Sequence, residues 1–360
     1  MSIDKKIEQL IRDDVRAISA YPVPDSQGLL KLDAMENPYT WPEELKRIWL
    51  EKLRDVPINR YPDADARRLK MKLAANFGIP DDQALILGNG SDEIIQFVIL
   101  ALARPGAVVL APEPTFVMYR NLAQAARIDF VGVPLNRDDF SLDTDAMLAA
   151  VEKHKPAVIF LARPNNPTGN LFDEEGVLQI IEAAPGLVVV DEAYHAFARE
   201  TFLPRIADHD HLLVMRTLSK QGLAGLRLGF LAGRPEWIHE FDKLRLPYNI
   251  GSLTQASVEF ILDHVDVLND QATLIRQERE VLTADLRELD GVGVWPSAAN
   301  FILIRTETRS GPEVFEALKE KGVLVKNLHG ADPSLANCLR VTVSTPEENQ
   351  TFLEALKAVL

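Results

Sequence analysis

The segment "LVVVDEAY" (187–194) is an uninterrupted aliphatic run that ends in acidic and aromatic side chains. Such a run is typical of a strand that is buried on both faces of a sheet. Two similar runs flank it along the chain, "AVIFLARP" (157–164) and "HLLVMRTLS" (211–219). Earlier in the chain, "ALILGN" (84–89) and "AVVLAPEP" (107–114) predict two further strands.

Amphipathic segments separate these predicted strands. A helical pattern begins at Ser91 and continues through "DEIIQFVILALA", and another covers "TFVMYRNLAQAARI" (115–128). Strands that alternate with helices predict βαβ units, and therefore an α/β fold with a mostly parallel sheet and helices on both faces. Ligands of such sheets bind beyond the carboxyl ends of the strands.

The pattern changes after about residue 250. A charged helical segment, "LIRQEREVLTADLREL" (274–289), leads to a second set of predicted strands and helices. We therefore predict a large domain over residues 41–250 and a smaller α/β domain over residues 251–360. Residues 1–40 are predicted to form an arm that packs with the small domain.

Composition limits the classes of protein that this chain can belong to. The N-terminus lacks the apolar run of a signal peptide, and no window is long enough to span a membrane. Cys338 is the only cysteine, which fits a reducing cytosol. A net charge of -14 argues against nucleic-acid binding, although it allows a local basic pocket for a small anion. We predict a cytoplasmic protein without a metal site.

A glycine-rich turn follows the first predicted strand in "LGNGSDEII" (87–95), with Ser91 as the expected N-cap of the next helix. Backbone N–H groups and the helix dipole at such a turn can bind a phosphate. A capped helix after an ordinary turn explains the same pattern equally well.

Two polar motifs follow predicted strands. In "RPNNPTGN" (163–170), prolines and a glycine stiffen a turn and position Asn166 as a hydrogen-bond donor, although a simple turn is the alternative. In "DEAY" (191–194), Asp191 directly follows a buried strand and needs a cation or a hydrogen bond to remain ionised. Taken alone, Asp191 is better explained as a cap of the next element.

The segment "RTLSKQGLAGLRLGF" (216–230) places Lys220 among small and apolar residues. A lysine in an apolar pocket near another cation loses its proton more readily and becomes a nucleophile. Arg227 is a candidate for that cation and also for a bidentate phosphate ligand, and Ser219 adds a hydroxyl. A lysine that extends its amine to solvent at an element end is the alternative, but it explains neither the serine nor the small residues.

Together, the motifs comprise a phosphate site, a buried carboxylate, an amide donor and a nucleophilic lysine. Pyridoxal 5'-phosphate carries the matching groups: a phosphate, a pyridine nitrogen, a phenolic oxygen and an aldehyde. We therefore predict that this cofactor binds at the carboxyl ends of the strands.

The motifs "NNPTG", "DEAY" and "TLSK…LAGLRLGF" occur in this order, together with "LDAMENP", "RYPD", "GNGSDE" and "LRVTV". In these motifs, over nearly its whole length, the chain resembles the fold type I pyridoxal-phosphate aminotransferases, and within them the histidinol-phosphate branch. The resemblance implies a large domain with a mostly parallel central sheet and a smaller α/β C-terminal domain.

The resemblance also implies roles for individual residues. Lys220 would bind the cofactor covalently and transfer the proton, while Asp191 pairs with the pyridine nitrogen. Asn166 and Tyr194 would donate to the phenolic oxygen, and Phe116 would stack on the ring. The cofactor phosphate would lie among Gly90, Ser91, Asp92, Ser219 and Arg227.

Further residues are implied in dimer formation and substrate binding. Tyr61 of "RYPD" would reach the cofactor phosphate of a neighbouring subunit, which implies a homodimer with shared active sites. Arg340 and Lys326 would hold the substrate anion, with lysine at a position where many relatives have arginine. The remaining implied substrate contacts are Tyr21, Asn37 and Asn300.

The activity implied by the resemblance is transamination of L-histidinol phosphate with 2-oxoglutarate, which yields imidazole-acetol phosphate and glutamate in histidine biosynthesis. An aromatic amino-acid aminotransferase and a phospho-amino-acid decarboxylase are the alternatives on the same scaffold. Met35 departs from the usual "LDANENP" motif, in which an asparagine occupies its position.

Two other classes fit less well. A ligand-sensing regulator with this fold would carry a DNA-binding module, but no basic helix-turn-helix segment precedes Tyr21 and the charge is acidic. A nicotinamide-binding protein would show G-x-G-x-x-G after its first strand, and the sequence does not.

Overall fold

A computed structural model describes residues 2–18, 20 and 23–360 of the chain. Its strands are β1 Leu30–Lys31, β2 Ala84–Asn89, β3 Val108–Glu113, β4 Asp129–Pro134, β5 Val158–Ala162, β6 Leu187–Asp191, β7 Leu212–Thr217, β8 Leu228–Gly233, β9 Val292–Val294, β10 Phe301–Thr306, β11 Val323–Leu324, β12 Lys326–Asn327 and β13 Cys338–Thr342. Its helices are α1 Ile3–Leu10, α2 Asp13–Arg16, α3 Glu43–Arg54, α4 Arg67–Phe77, α5 Ser91–Leu102, α6 Met118–Ala125, α7 Thr144–His154, α8 Glu174–Ala183, α9 His195–Ala198, α10 Pro235–Asp242, α11 Ser252–Leu262, α12 Val265–Arg287, α13 Gly311–Glu320 and α14 Pro346–Lys357.

The largest sheet has seven strands in the order β2-β8-β7-β6-β5-β3-β4. The pairs from β4 to β7 are all parallel, whereas β8 is antiparallel to both β7 and β2. The fold is therefore α/β with a mostly parallel central sheet, which confirms the fold class predicted from the sequence.

The central strands are buried on both faces because alternate side chains enter two different cores. In β6, Val188 and Val190 pack into one hydrophobic cluster, and Leu187 and Val189 pack into a second cluster on the opposite face. All four side chains are buried. This double burial explains why the sequence of the strand shows a continuous apolar run rather than alternation.

A smaller sheet has the order β12-β13-β10-β9 and is antiparallel throughout. Next to it, Leu30 in β1 pairs in parallel with Val323 in β11, so the N-terminal segment packs with this part of the molecule. The domain boundary near residue 250 stays a prediction. The helix that follows it, α11, packs against α3 and α4 on the side of the larger sheet.

Several local predictions differ from the structure. The predicted N-cap at Ser91 is wrong, because Gly90 occupies the N-cap position with φ 77° and Ser91 is the first helical residue. Strands β4 and β8 were not predicted, since "DFVGVP" and "LGFLAG" carry glycine or proline within short apolar runs. A Cβ at Gly229 in β8 would lie 2.8 Å from the backbone nitrogen of Ser91, so the glycine allows close approach.

Among the described residues, no helix has both the length and the apolar character that a transmembrane span requires.

Candidate active site

A cleft opens beyond the carboxyl ends of β5, β6 and β7 and encloses about 590 Å³ of empty space, part of it open to solvent. Its position follows the rule for open α/β sheets. Most of its wall comes from residues that the sequence predicted to bind a cofactor. The lining residues are Met35, Ser91, Asp92, Phe116, Ala162, Pro164, Asn166, Asp191, Ala193, Tyr194, Thr217, Ser219, Lys220 and Arg227.

Lys220 lies in a short 3-10 turn, Ser219–Gln221, directly after β7. Its Nζ atom donates to the backbone oxygen of Ala34 at 3.0 Å. Burial and, after it, the nearby cation Arg340 together lower the pKa of Lys220 to about 8. The acidic side chains around the amine oppose this shift only in part, so near pH 8 the amine is half neutral.

The sequence proposed Arg227 as the cation that acts on Lys220. Arg340 has the larger effect on the pKa of Lys220, and Arg227 contributes least among the causes. The sequence could not rank the two arginines, because Arg340 lies 120 positions from the lysine along the chain.

Asp191 ends β6 and is 4% exposed. Its Oδ2 atom accepts a hydrogen bond from the Tyr119 hydroxyl at 2.6 Å, and its Oδ1 atom accepts from the Ala193 backbone at 3.0 Å. Burial raises the pKa of Asp191 to about 6, although both hydrogen bonds oppose the shift. A buried cationic group next to Asp191 would therefore stabilise its ionised form.

Tyr119 is a site residue that the sequence analysis missed. It is fully buried, and its ring stacks on Phe160 with the centroids 4.6 Å apart. The rings of Tyr119 and Phe116 form a T-shaped pair with the centroids 5.6 Å apart. Burial raises the pKa of its hydroxyl well above the ordinary value, so Tyr119 remains a neutral donor to Asp191. The available signal was its spacing of three residues from Phe116 within the helix predicted over residues 115–128, since such residues share a helix face, although α6 itself begins only at Met118.

Glu192, the other acidic residue of the "DEAY" motif, does not line the cleft. Its carboxylate accepts hydrogen bonds from Arg216 at 2.8 and 2.9 Å, from Thr201 at 2.9 Å and from the Phe202 backbone at 2.5 Å. The side chains of Glu192 and Arg216 are 1% and 5% exposed. This buried ion pair therefore has a structural role beneath the site.

The opposite end of the cleft is suited to an anion. Gly90 is the N-cap residue of α5, whose first two residues, Ser91 and Asp92, line the cleft at a helix N-terminus, where anions are favoured. The Arg227 guanidinium lies so close that a Cβ at Gly90 would be 2.5 Å from its Nη2 atom. Arg227 also pairs with Asp92 at 3.3 Å, while the hydroxyl of Thr217 donates to Ser219 at 3.0 Å. Thr217 was not predicted as a lining residue.

Asn166 and Arg340 are directly connected. The Arg340 Nη1 atom donates to Oδ1 of Asn166, and its Nη2 atom donates to the Asp33 backbone oxygen at 2.9 Å. Because a guanidinium only donates, the oxygen of the Asn166 amide must face Arg340. The amide nitrogen of Asn166 is therefore the atom that can donate into the cleft.

A second cleft, with about 1180 Å³ of empty space, adjoins the first. Lys326 and Arg340 of the small sheet line it, together with Arg120 and Glu113 of the larger sheet's side. Glu113 and Arg120 form an ion pair at 2.5 Å. The predicted anion-binding residues Lys326 and Arg340 are thus placed in one solvent-accessible space beside the lysine cleft.

Besides Gly90, three predicted residues lie outside the walls of these clefts. Asn37 donates to Gln271 at 2.9 Å and to the Gln221 backbone oxygen at 3.2 Å, so its amide supports the turn that carries Lys220. Asn300 is fully buried and donates to the Met35 backbone oxygen at 2.9 Å.

Tyr61 is the third, and is 80% exposed with its ring stacked on Tyr248, the centroids 4.4 Å apart. It stays a prediction that Asn37 and Asn300 contact the substrate. It also stays a prediction that Tyr61 contacts a cofactor phosphate. Tyr21 lies outside the described residues.

Comparison with known families decides the class of the protein. Residues 27–356 match the family model "Aminotransferase class I and II". The chain belongs to this family. Among curated relatives, the aminotransferase is 57% identical to histidinol-phosphate aminotransferase 2 of Nitrosococcus oceani, over 98% of both chains. It is 54% identical to histidinol-phosphate aminotransferase 1 of Ralstonia nicotianae, over 100% of this chain and 96% of the relative.

Solved structures support the fold of the aminotransferase. Histidinol-phosphate aminotransferase of Sinorhizobium meliloti, solved in complex with pyridoxal-5'-phosphate, superposes with a TM-score of 0.84 at 23% identity and covers 97% of each chain. The enzyme of Clostridium acetobutylicum gives the same TM-score at 22% identity, with 91% of this chain and 98% of that chain covered.

Proposed function

We propose that this aminotransferase transfers the amino group of L-histidinol phosphate to 2-oxoglutarate, yielding imidazole-acetol phosphate and glutamate in histidine biosynthesis. The observation that carries the proposal is a buried, partly neutral Lys220 amine next to a cleft lined by the two cationic side chains Lys326 and Arg340. The relatives named histidinol-phosphate aminotransferase align with this chain from end to end, which supports the same substrate.

The side chains of the first cleft fit pyridoxal 5'-phosphate. Gly90 leaves room for the Arg227 guanidinium beside the N-terminus of α5, where a phosphate would be stabilised. Asp191 has a raised pKa, and a protonated ring nitrogen would supply the cation that stabilises the carboxylate. The amide nitrogen of Asn166 is oriented as a donor for the phenolic oxygen, and we propose that Phe116 covers the ring.

When bound, this cofactor supplies an aldehyde that condenses with amines and a ring that accepts electrons. The contribution of the protein is then to position groups and to move protons. Lys220, with a pKa of about 8, presents a nucleophilic amine to the aldehyde. The Nζ atom of Lys220 would also serve as the base that removes the proton from the amine-bearing carbon of the substrate.

The substrate anion is held by Arg340 and Lys326 in this proposal. Arg340 has a planar guanidinium already fixed by Asn166 and by the Asp33 backbone oxygen, so little side-chain entropy remains to be lost on binding. Lys326 adds a positive point charge that can bind either a phosphate or a carboxylate. One anion site of this kind serves histidinol phosphate in one half-reaction and 2-oxoglutarate in the other.

We propose further that the enzyme is a homodimer with shared active sites. Tyr61 is 80% exposed and is stacked on Tyr248, and the neighbouring side chains Ile58 and Leu246 are 78% and 70% exposed. Exposed apolar side chains next to a fixed aromatic pair are suited to a protein interface. In the dimer, Tyr61 of the partner subunit would contact the cofactor phosphate.

We also propose that the enzyme acts in the cytoplasm. Cys338 is the only cysteine of the chain, and it is buried in β13. A chain with one cysteine forms no intrachain disulfide, which suits a reducing compartment.

The test of the proposed function is a half-reaction followed by visible absorbance. The purified protein, loaded with pyridoxal phosphate, is mixed with histidinol phosphate, phenylalanine or threonine phosphate in the absence of a keto acid. Conversion of the cofactor to its amine form, much faster with histidinol phosphate than with phenylalanine, is the expected result. Faster conversion with phenylalanine, or release of CO₂ from threonine phosphate, would replace the proposal by one of the alternative activities.

A further inference from the structure

The two clefts share part of their walls. Within the described part of the chain, only Met35, Phe116 and Asn166 line both of them. The reacting carbon of a substrate must lie near this junction, because the Lys220 amine belongs to the first cleft and Lys326 to the second. Side chains at the junction are therefore the ones that contact the substrate next to its reacting carbon.

Two of the three junction residues already have roles towards the cofactor. The Asn166 amide is fixed by Arg340 so that its nitrogen can donate to a cofactor oxygen. Phe116 is proposed to cover the cofactor ring. Met35 has no proposed contact with the cofactor itself, although its sulfur contacts Tyr194, and its side chain is the one that remains for the substrate.

Main-chain contacts hold Met35 in position. Its N–H group donates to the Thr342 hydroxyl at 3.0 Å, and its carbonyl accepts from Asn300 at 2.9 Å. Met35 also has a φ of 54°, in the left-handed region that asparagine adopts more readily than methionine. The backbone conformation thus gives no reason for a methionine at this position, and the reason must lie in its side chain.

The thioether of Met35 is held at the junction. Its Sδ atom accepts a hydrogen bond from the Tyr194 hydroxyl at 3.3 Å, and the residue is 8% exposed. A polarisable thioether makes favourable contacts with aromatic rings. An amide in the same place would lose hydrogen bonds to water when a ring covered it.

We propose that Met35 is a specificity-determining residue that favours amino donors with a flat ring side chain over donors with a carboxylate side chain. The proposal rests on the proposed function for the identity of the physiological ring donor. It deepens that function by naming a side chain that recognises the part of the substrate that does not react.

Two substitutions compare the thioether of Met35 with an amide and with an apolar side chain that lacks sulfur. Met35→Gln keeps the length of the side chain and introduces an amide, whereas Met35→Leu keeps an apolar surface and removes the sulfur. Neither glutamine nor leucine relieves the left-handed backbone, so the two variants share its cost with the wild type. We expect the ratio of kcat/KM for histidinol phosphate to that for glutamate to fall roughly tenfold in Met35→Gln and by less than about threefold in Met35→Leu.

Binding of unreactive anions provides a readout that is independent of turnover. The dissociation constants of 3-phenylpropionate, which carries a ring, and of glutarate, which does not, are measured by absorbance titration of the cofactor-loaded variants. We expect the preference for 3-phenylpropionate over glutarate to fall in Met35→Gln by a similar factor. Thermal unfolding of each variant establishes that the fold is retained.

The outcomes distinguish this inference from the proposed function. Unchanged ratios in a folded Met35→Gln variant would overturn the role of Met35, even if the wild type converts histidinol phosphate. If the wild type does not convert histidinol phosphate, the proposed function fails. The ratio for phenylalanine over glutamate and the 3-phenylpropionate preference then decide the role of Met35 in the same way.

Discussion

The guanidinium of Arg340 donates to the Asn166 side-chain oxygen and so connects the two clefts of the site. A substrate anion bound by Arg340, as proposed, would contact the same guanidinium that orients the Asn166 amide. Anion binding and cofactor contacts would therefore be coupled through one hydrogen bond, and substitution tests this coupling.

We predict that Arg340→Lys raises the KM values for histidinol phosphate and 2-oxoglutarate by roughly tenfold or more, since hydrogen bonds to charged groups are lost. A lysine cannot hold Asn166, the Asp33 carbonyl and an anion with a planar fork. Steady-state kinetics measure the effect. Arg309→Lys, at an arginine that donates to the Val359 carbonyl, is the matched control. Unchanged KM values in Arg340→Lys would exclude the proposed anion contact.

The lowered pKa of Lys220 predicts how cofactor capture depends on pH. Only the neutral amine attacks an aldehyde, and the neutral fraction increases as the pH rises through the pKa of about 8. The rate at which the apoprotein forms its visible absorbance band with pyridoxal phosphate should therefore rise with pH, with a midpoint near 8. Stopped-flow absorbance measures this rate, and Lys220→Ala should form no such band. A midpoint near the ordinary lysine value of about 10.4 would contradict the burial argument.

Asp191 is expected to stabilise the loaded enzyme at the expense of the apoprotein. Its pKa of about 6 in the folded state lies above its ordinary value of 3.8, so the folded state binds its proton more tightly. Above pH 6 the ionised, buried carboxylate destabilises the fold. As the pH falls from 6 towards 3.8, this destabilisation disappears.

The Asp191→Asn apoprotein should accordingly gain about 1–3 kcal/mol in free energy of unfolding at pH 8, and less at pH 5. Its affinity for pyridoxal phosphate should decrease, because the partner of the ring nitrogen is gone. Urea denaturation at the two pH values and a cofactor titration provide the measurements. An equal gain at both pH values would show that the effect does not come from ionisation.

Glu192 is predicted to affect stability rather than catalysis. Glu192→Gln leaves the buried Arg216 without a full counter-charge, and breaking a buried pair costs about 3–5 kcal/mol. Thermal denaturation should show a large decrease in Tm, with kcat at low temperature much less affected. Glu174→Gln, in an exposed pair with Arg205, should cost less than about 1 kcal/mol. Comparable losses in the two variants would refute the assignment of Glu192 as a structural residue.

Shared active sites predict complementation between two inactive variants. In a mixed dimer of Tyr61→Ala and Lys220→Ala, one of the two sites recovers both residues. After dissociation and random reassociation, half of the dimers are mixed, so activity should return to about a quarter of the wild-type value. Activity assays before and after mixing, with sedimentation to confirm the dimer, provide the test. No recovery in a confirmed dimer would mean that Tyr61 serves its own subunit's site or none.

The sequence predicted the strands that carry the site because double burial leaves a continuous apolar run, as in β5, β6 and β7. It could not distinguish Asp191 from Glu192, since the two carboxylates are adjacent and only the fold directs one to the cleft and the other to Arg216. Tyr119 was missed for a similar reason: its partner is 72 residues away.

The amide of Asn37 shows the same limit. Its hydrogen-bond partner Gln271 is 234 residues away, and no local pattern indicates such a contact. The motifs therefore predicted which segments of the chain carry the site residues. The direction of each side chain, in contrast, depends on contacts between residues that are distant in sequence.

Three consecutive main-chain oxygens of the N-terminal segment bind site residues. The carbonyl of Asp33 accepts from Arg340, that of Ala34 from Lys220, and that of Met35 from Asn300. A substitution changes the side chain of a residue but leaves its main-chain carbonyl in place. Point mutations in this stretch can therefore alter what the site selects while its anchors survive, which opens an evolutionary route to new amino donors without loss of the catalytic framework.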